Sequence, residues 1–137
     1  MSLINRDTDY AIKALCFMAK QNKEKLKVSD LTRALKIPYP FLRKILQALH
    51  KHGFLAASKG KGGGFILARS PRRIFLNDLI LVFQGPLKLN NCFLNKKICP
   101  DVNSCLLRRK ISDIEKRLKS ELSLLTLDSL MINQERR

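Results

Sequence analysis

The sequence predicts a mainly α-helical protein with a small β-hairpin, an α+β arrangement, and three observations support this prediction. Apolar residues recur at the i, i+3/i+4 spacing of one helix face between residues 41 and 49. Two short strand-like runs, 54–57 and 65–67, flank a glycine-rich tip. Near the C-terminal end, leucine and isoleucine repeat at steps of four and three over a long, otherwise charged segment. Together these features indicate a winged helix-turn-helix followed by a long helix.

Two helices are predicted ahead of the segment that carries the hairpin. The first covers residues 9–21, with Thr8 or Asp7 as its cap, and presents a broad apolar face. The second covers residues 31–35, and residues 36–38 form the turn into a longer third helix. A short helix, a turn of three or four residues and a longer helix make up the helix-turn-helix unit, whose second helix enters the major groove of DNA.

The third helix and the hairpin carry most of the local signals. Pro40 suits the first helical position, because its fixed φ and missing N–H cost nothing there, and Gly53 suits a left-handed helix end. The helix face opposite the apolar residues is polar and mostly cationic. The hairpin tip, 59–64, holds Lys59, Lys61 and four glycines, so it combines positive charge with little side-chain bulk.

Beyond the hairpin, residues 74–76 are predicted as a brief strand and 79–83 as a helix that ends before a Gly-Pro pair. A long amphipathic helix lies near the C-terminal end, and Thr126 can cap a last short turn over 127–131. The apolar seam of the long helix consists of Leu107, Ile111, Ile114, Leu118, Leu122 and Leu125. Because a seam of this length has little to pack on in so small a domain, a second subunit is its simplest partner.

The length of 137 residues favours one domain, or one domain plus an appendage. We expect a DNA-binding domain over 1–86, a cysteine-bearing loop over 87–105, and a dimerisation helix with its tail over 106–137. The formal net charge is +16, from 27 Lys+Arg against 11 Asp+Glu, which makes a polyanion the first partner to consider. No apolar run is long enough to span a bilayer and no signal peptide is recognisable, so a cytoplasmic protein without a membrane partner is expected.

Catalytic patterns do not occur in the sequence. There is no Ser-His-Asp or Cys-His pairing and no phosphate-binding P-loop, and the glycine cluster precedes a strand rather than a helix. We therefore expect neither an enzyme nor a small-molecule substrate. A non-specific nucleic-acid-binding protein is the alternative from another class, although the apolar seam and the cysteine-bearing loop would then have no role.

Three of the four cysteines, Cys92, Cys99 and Cys105, lie in one segment with the spacing C-x6-C-x5-C. Thiolates are the preferred ligands of iron–sulfur clusters, and a loop can wrap around a cluster. Zinc sites usually contain C-x2-C to C-x4-C pairs, and none is present. The spacing alone leaves open a cluster or metal site and a set of reduced, non-ligating thiols. Cys16 lies within the first predicted helix, where a buried thiol is the simpler interpretation.

Nearly the whole chain resembles the Rrf-type family of bacterial winged-helix regulators, whose members include IscR, NsrR and CymR. The resemblance is carried by residues 8–15, 37–46, 49–55, 58–68 and 125–130, together with the three-cysteine segment. It implies a homodimeric transcription factor, in our interpretation a repressor, that binds double-stranded DNA. The long helix would be the dimer element, and the cysteine loop would hold an iron–sulfur cluster. Members of the CymR type imply an alternative without a cluster, in which a protein partner or thiol chemistry is the input.

The resemblance also bears on the fourth ligand of such a cluster. IscR-like members have a His three positions after the third Cys, where this chain has Arg108. NsrR-like members use an Asp near the N-terminus of the other subunit, and the matching residue is Asp9. This implies three thiolates plus Asp9 across the dimer, and a [4Fe–4S] rather than a [2Fe–2S] cluster that senses nitric oxide, redox state or the supply of iron or clusters. The alternative role of Asp9 is an acid that complements the helix macrodipole.

The same resemblance places the first turn of the third helix, with Tyr39, Pro40 and Arg43, against base edges. The Arg43 guanidinium favours guanine O6/N7, whereas the acidic residue of several relatives would accept from cytosine, so we expect an operator unlike that of IscR. Phosphate contacts, which position a protein without specifying a sequence, are predicted for Lys44, His50, Lys51, Arg72 and Arg73. A wing-tip cation, Lys59 with Lys61, would enter the minor groove. The alternative is a solvated, charged face.

Overall fold

The computed structural model describes residues 3–21, 25–60, 62–89 and 105–135, with side-chain burial up to residue 131. In chain order its elements are α1 (Arg6–Lys20), α2 (Val28–Leu35), α3 (Tyr39–Lys51), β1 (Leu55–Ser58), β2 (Gly64–Leu67), a 3-10 turn (Pro71–Arg73), α4 (Leu76–Gln84), α5 (Leu106–Ser123) and α6 (Leu127–Glu135). The strands form one antiparallel two-stranded sheet. The predicted fold class, mainly α with a small β-wing and a long C-terminal helix, is confirmed.

Helix α1 begins earlier than predicted because Asn5 caps it. The Asn5 Oδ1 accepts a hydrogen bond from the Thr8 N–H at 2.8 Å, which satisfies one of the free amides of the first turn. Thr8 itself is fully buried, and its hydroxyl lies 2.7 Å from Gln84 Oε1. The prediction that Thr8 or Asp7 caps this helix is therefore wrong.

Helix α2 also begins earlier than predicted, at Val28. The Asp30 carboxylate accepts a hydrogen bond from the Lys27 N–H at 3.0 Å, which is one half of a capping box. The helix ends at Leu35, and its C-cap residue Lys36 has a φ of 57°. Residues other than glycine rarely adopt this left-handed conformation, so the turn from α2 to α3 contains some backbone strain.

Helix α3 begins at Tyr39, one residue before the predicted start at Pro40, and its last residue is Lys51. Gly53 terminates the helix as predicted. Gly53 has a φ of 82°, and its N–H bonds to the His50 carbonyl at 3.1 Å, while the Phe54 N–H bonds to the Leu49 carbonyl at 2.9 Å. This pair of hydrogen bonds is a Schellman motif, which satisfies carbonyls at the end of the helix. The chain turns directly from α3 into the hairpin, so the helix and the wing are held in a fixed relation.

The hairpin is also attached to the segment before α2. Leu26 and Phe65 form an antiparallel bridge, with N–H···O distances of 2.9 and 2.8 Å in the two directions. A two-stranded hairpin is marginally stable alone, and this bridge ties it to the helix-turn-helix.

The prediction of a strand at 74–76 is wrong. Phe75 forms an isolated bridge with Thr126, flanked by backbone hydrogen bonds of 2.8 and 3.0 Å. The chain then enters α4 at Leu76, three residues before the predicted start of the helix at 79–83. The bridge cannot grow into a strand because helices begin immediately after both of its residues.

Two groups of buried apolar side chains hold these elements together. The larger group joins α1, α2, α3, β1, α4 and α6, and Leu127 of α6 is only 1% exposed within it. The smaller group joins α4 to the C-terminal half of α5 through Leu76, Ile80 and Leu122. Because α6 contributes to the larger group, the chain after α5 folds back onto the first helices.

Helix α5 is covered over the second half of its length. Leu122 is buried against α4, whereas Leu107 and Ile114 in the first half of the seam are 70% and 44% exposed. Leu106, beside the seam, is 67% exposed. The first half of α5 therefore presents an apolar strip that the single chain does not cover.

Two further expectations concern membranes and domains. Within the described ranges, no helix combines the length and apolar character needed to cross a bilayer. The boundaries expected at 86/87 and 105/106 stay predictions, since most of the segment 87–105 lies outside the described residues.

Candidate nucleic-acid interface and cysteine site

The exposed side of α3 is the first candidate for a nucleic-acid interface. The buried side of this helix consists of Leu42, Ile45, Leu46 and Leu49. The opposite side, which we call the α3 outer face, consists of the exposed residues Pro40, Arg43, Lys44, Gln47 and Lys51. Three cations and one amide thus share one convex surface. A helix of this kind can enter a major groove and meet both phosphates and base edges.

Tyr39 and His50, two other predicted contact residues, flank this face on the side of the wing. Tyr39 is 48% exposed and lines a depression of about 380 Å³ between the start of α2 and the hairpin. The Nδ1 of His50 lies 3.1 Å from the Leu55 carbonyl, and the His50 ring meets Phe65 edge-on at 6.4 Å. Although His50 is exposed, its ring is held against the hairpin, so it helps to fix the wing beside α3.

The wing tip depends on glycine for its shape. A Cβ at Gly63 would lie 2.5 Å from the Ser58 carbonyl oxygen and 2.7 Å from that of Gly60, so a larger residue would displace the backbone. Lys59 is exposed at the start of this tip, and Lys61 lies outside the described residues. The described part of the tip therefore presents one cation on a backbone with almost no side-chain bulk.

Arg72 and Arg73 are both exposed on the 3-10 turn. The Nε of Arg72 lies 3.8 Å from an Asp128 oxygen of α6, with side chains that are 83% and 35% exposed. An exposed pair of this kind is weak and leaves Arg72 able to exchange partners. The predicted phosphate contacts of the two arginines stay predictions.

The structure draws attention to two exposed residues that the sequence analysis did not select. Gln47 lies one turn after Arg43 on the α3 outer face, and the i, i+4 spacing alone could have identified it. Arg6 of α1 lies over the ring of Phe41, with its guanidinium carbon 4.4 Å from the ring centre. The contact between Arg6 and Phe41 arises from the packing of α1 against α3, so no local sequence signal marks it.

Of the clustered cysteines, Cys105 is described, whereas Cys92 and Cys99 lie outside the described residues. Cys105 is the N-cap residue of α5; its thiol is partly exposed, has no disulfide partner and makes no capping hydrogen bond. A thiol in this state is available as a soft ligand, so Cys105 fits the donor set of an iron–sulfur cluster. Within the described ranges of the single chain no three potential ligands come together, so further ligands would come from residues outside those ranges or from a second subunit.

Asp9, the candidate fourth ligand, already has a partner in the single chain. Its carboxylate lies 2.8 Å from Lys13 Nζ, one turn along α1, and both side chains are about half exposed. The hydrogen bond and the negative charge of Asp9 raise the pKa of Lys13. Cys16 lies deeper in the same helix, where burial raises the pKa of its thiol, which confirms the interpretation of a core thiol.

Comparison with known sequences finds similarity to transcriptional regulators. The family model Rrf2, described as an iron-dependent transcriptional regulator, matches residues 4–133. An HTH-type transcriptional regulator of Aquifex aeolicus is 30% identical over 93% of this chain and 90% of its own length. IscR of Xenorhabdus nematophila is 28% identical over 92% of this chain and 77% of its own. NsrR of Shouchella clausii is 33% identical over 73% of this chain and 64% of its own.

Solved structures share the fold. IscR of T. potens has a TM-score of 0.75 at 22% identity, over 97% of this chain and 88% of its own. CymR of B. subtilis, described as the global cysteine regulator, has a TM-score of 0.72 at 20% identity, over 97% of this chain and 98% of its own. These similarities confirm the fold of the described residues.

The family match therefore includes the helix-turn-helix, the wing and both C-terminal helices. The members it describes are transcriptional regulators and not enzymes, in agreement with the sequence analysis. This chain belongs to the Rrf2 family of DNA-binding transcriptional regulators.

Proposed function

We propose that this chain is a homodimeric repressor whose affinity for a specific operator is set by an iron–sulfur cluster on Cys92, Cys99 and Cys105. The observation that carries the proposal is the position of Cys105. Its unpaired, partly exposed thiol directly precedes α5, whose first half is uncovered and apolar. The proposed cluster loop and the proposed dimer helix therefore meet at one residue, where a chemical change can alter the arrangement of two subunits.

In this proposal the α3 outer face reads the DNA sequence. Arg43 suits guanine O6/N7, and Gln47, one turn later, suits adenine N6/N7. The Gln47 side chain is exposed and makes no hydrogen bond within the described residues, so its amide is available to a base. Phosphate contacts would come from Lys44 and Lys51, and the wing tip would add Lys59 with Lys61 in the minor groove.

A second copy of the chain would cover the exposed strip of α5. Full burial of a Leu or Ile side chain contributes about 1.5–3 kcal/mol, before the cost of association is subtracted. Leu107 and Ile114 are the seam residues with most to gain, because they are 70% and 44% exposed in the single chain. A two-fold symmetric dimer would present two α3 outer faces to successive major grooves, about 34–36 Å apart.

When bound, the iron–sulfur cluster would supply a centre that can be oxidised, nitrosylated or lost. The chain's own part is to hold thiolates in the loop and at the start of α5, where Cys105 is fixed by the first helical turn. Release of the thiolates would change both the charge and the order of the loop. That change would shift the chain between a state that matches the operator half-sites and one that does not.

A contiguous set of contacts supports a coupling between the cysteine loop and the α3 outer face. Helix α4 ends at Gln84, ahead of the cysteine loop, and the Gln84 side chain accepts hydrogen bonds from the Asn5 N–H at 2.8 Å and the Thr8 hydroxyl at 2.7 Å. Helix α1, which starts at these residues, packs on α3 within the same core. A displacement at the loop would therefore reach the α3 outer face through α4 and α1.

Asp9 of the partner subunit would complete the ligand set, and a substitution series tests it. Ligation would require the Asp9 carboxylate to leave Lys13, its partner at 2.8 Å. Asp9→Ala should change the visible spectrum of the anaerobically purified protein, while Asp7→Ala, which removes an acid from the same turn, should not. An unchanged spectrum for Asp9→Ala would exclude the residue as a ligand. Asp9 would then have only the alternative role, that of an acid that complements the macrodipole of α1.

The cluster itself is tested by iron and acid-labile sulfide analysis after anaerobic purification. About four irons per subunit would support a [4Fe–4S] cluster, whereas about two would indicate a [2Fe–2S] cluster and weaken the role of Asp9. Cys105→Ala should lose iron, and Cys16→Ala is the control because that thiol is in the core. An iron-free protein that still binds DNA would refute the cluster and favour thiol chemistry or a protein partner as the input.

Sequence-specific binding is tested by selecting duplexes from a random pool with the full chain. A two-fold symmetric consensus is expected, and Arg43→Ala and Gln47→Ala should each relax one position of each half-site by about 1–3 kcal/mol. A pool that remains random after selection would contradict the operator and favour a non-specific nucleic-acid-binding protein.

Dimerisation is tested by sedimentation at several protein concentrations. Leu107→Gln should weaken the dimer because it places an amide in the seam. Lys116→Gln, at an exposed position on the opposite side of α5, is the matched control. A wild-type chain that sediments as a monomer at all concentrations would refute this part of the proposal.

A further inference from the structure

Arg6 is held against the recognition helix by its stacking contact. Its guanidinium carbon lies 4.4 Å from the ring centre of Phe41, in the first turn of α3, and 6.0 Å from that of Tyr10. Guanidinium groups stack on aromatic faces through cation–π attraction. Although 60% of the Arg6 side chain is exposed, this long chain is therefore positioned beside α3 before any ligand arrives.

Arg6 lies at the edge of a depression of about 300 Å³ between α1, α3 and α4. The apolar lining consists of Phe41, Ile45, Ala48 and Phe83. The charged lining consists of Arg6, Lys44 and Asp7. Because Lys44 also belongs to the α3 outer face, the depression borders the surface that would meet a DNA groove.

We propose that this depression binds one sugar–phosphate unit of the DNA backbone, with Arg6 and Lys44 as the phosphate ligands. The apolar lining suits a deoxyribose, and the two cations suit the phosphate that follows it. The contact adds α1 to the DNA-binding surface, beyond α3 and the wing. It rests on DNA binding by the family and requires neither the cluster nor the dimer.

The single acid in this lining sets the strength of the site. One Asp7 oxygen lies 3.7 Å from Arg6 Nε, with side chains that are 48% and 60% exposed, so the pair is weak. A guanidinium has further N–H donors on its two terminal nitrogens, which can bind a phosphate while the group stays on the Phe41 ring. The carboxylate of Asp7 would nevertheless repel a phosphate, so its removal should strengthen DNA binding.

The test measures DNA affinity of the full chain between low and moderate salt, with two probes. One probe is the duplex selected by the wild-type protein, and the other is an unrelated duplex of equal length. For each bound subunit, Arg6→Gln should weaken binding to both probes by a similar factor, about three- to tenfold, and reduce the slope of log K against log salt by about 0.9. Asp7→Asn should strengthen binding to both.

Three further variants separate a phosphate contact from a structural one. Lys20→Gln removes the same charge from the other end of α1 and should leave the salt slope unchanged. Arg6→Lys keeps the charge without the planar stack, so it should retain the slope but lose part of the affinity. Phe41→Leu releases the guanidinium, so Arg6→Gln should cost less in that background than in the wild type.

The outcomes distinguish this inference from the proposed function. If the wild type selects a duplex and Arg6→Gln binds it with unchanged affinity and salt slope, the contact is refuted while sequence-specific binding stands. The same holds if Arg6→Gln lowers only the melting temperature, since Arg6 would then act in packing alone. A wild type that selects no duplex would refute the operator, and the unrelated duplex would still decide the role of Arg6.

Discussion

The hydrogen bonds between Gln84 and the start of α1 lead to a quantitative prediction about stability. Gln84 Oε1 accepts from the Asn5 N–H at 2.8 Å and lies 2.7 Å from the Thr8 hydroxyl, and its Nε2 donates to the Leu3 carbonyl at 3.0 Å. Asn5 Oδ1 accepts from the Thr8 N–H at 2.8 Å and lies 2.9 Å from the Thr8 hydroxyl. These side chains join two helices that are far apart in sequence.

Two substitutions among these hydrogen-bonded side chains differ in which polar atoms they leave without a hydrogen-bond partner. Gln84→Ala removes the acceptor of the partly buried Asn5 N–H and should cost about 1–2 kcal/mol in the free energy of unfolding. Thr8→Val removes only the hydroxyl, keeps the shape of a fully buried side chain, and leaves both acceptors with an N–H donor. It should therefore cost less than about 1 kcal/mol.

Thermal unfolding followed by circular dichroism measures this difference. For a chain of this size, 1 kcal/mol corresponds to roughly 3–5 °C in Tm, so Gln84→Ala should melt roughly 3–10 °C below the wild type and Thr8→Val within roughly 5 °C of it. Protein concentration must be constant, because association would shift both values. If Thr8→Val is the more destabilising variant, the hydroxyl and not the amide holds the two helices together, and the reasoning fails.

Three other predictions follow from single residues. Lys36→Gly should stabilise the chain by about 0.5–1 kcal/mol in urea unfolding, because Lys36 has a φ of 57°, which glycine adopts without strain. A less stable variant would show that the backbone at Lys36 is not strained. The hydrogen bond from the Lys27 N–H holds the pKa of Asp30 below its ordinary 3.8. Asp30→Asn should therefore lower the free energy of unfolding at neutral pH, and the difference in stability between variant and wild type should vanish as the pH falls below the lowered pKa. Gly63→Ala should weaken DNA binding more than Gly62→Ala, because a Cβ at 63 would lie 2.5 Å from a backbone oxygen, whereas Gly62→Ala adds only the strain of a φ of 75°. Wild-type affinity in both variants would show that the wing tip is not a contact.

The sequence predicted those parts of the fold that local signals determine. The end of α3 at Gly53 follows from one residue whose φ only glycine adopts readily, and the wing follows from its glycines and two short runs. The start of α1 was predicted too late because its cap, Asn5, is also held by Gln84, a residue of another helix. The stacking of Arg6 on Phe41 is of the same kind, since it exists only after α1 has packed on α3.

The candidate site shows the same difference between residues marked by local sequence signals and contacts that form only after helices pack. Arg43 and Lys44 could be selected from sequence because a helix of period 3.6 places them opposite its buried residues. Gln47 obeys the same period, but it carries no charge, so only its helical phase marks it as part of the α3 outer face. The cysteine spacing indicated a ligand set, yet the partner of Asp9 in the single chain, Lys13, depends on side-chain conformations that the spacing does not contain.

The composition of α4 explains how the two halves of the chain are joined. Its sequence is apolar on nearly every side, which is typical of a helix that is covered by more than one neighbour. Leu79 packs into the larger core with α1, whereas Leu76 and Ile80 pack with Leu122 of α5. Because each buried side chain contributes about 1.5–3 kcal/mol, α5 cannot move away from α1 without losing one of these two contacts. In a dimer formed through α5, a shift of that helix would therefore be passed to α1 and α3 by a rigid, doubly packed helix, in addition to any effect of the loop that precedes Cys105.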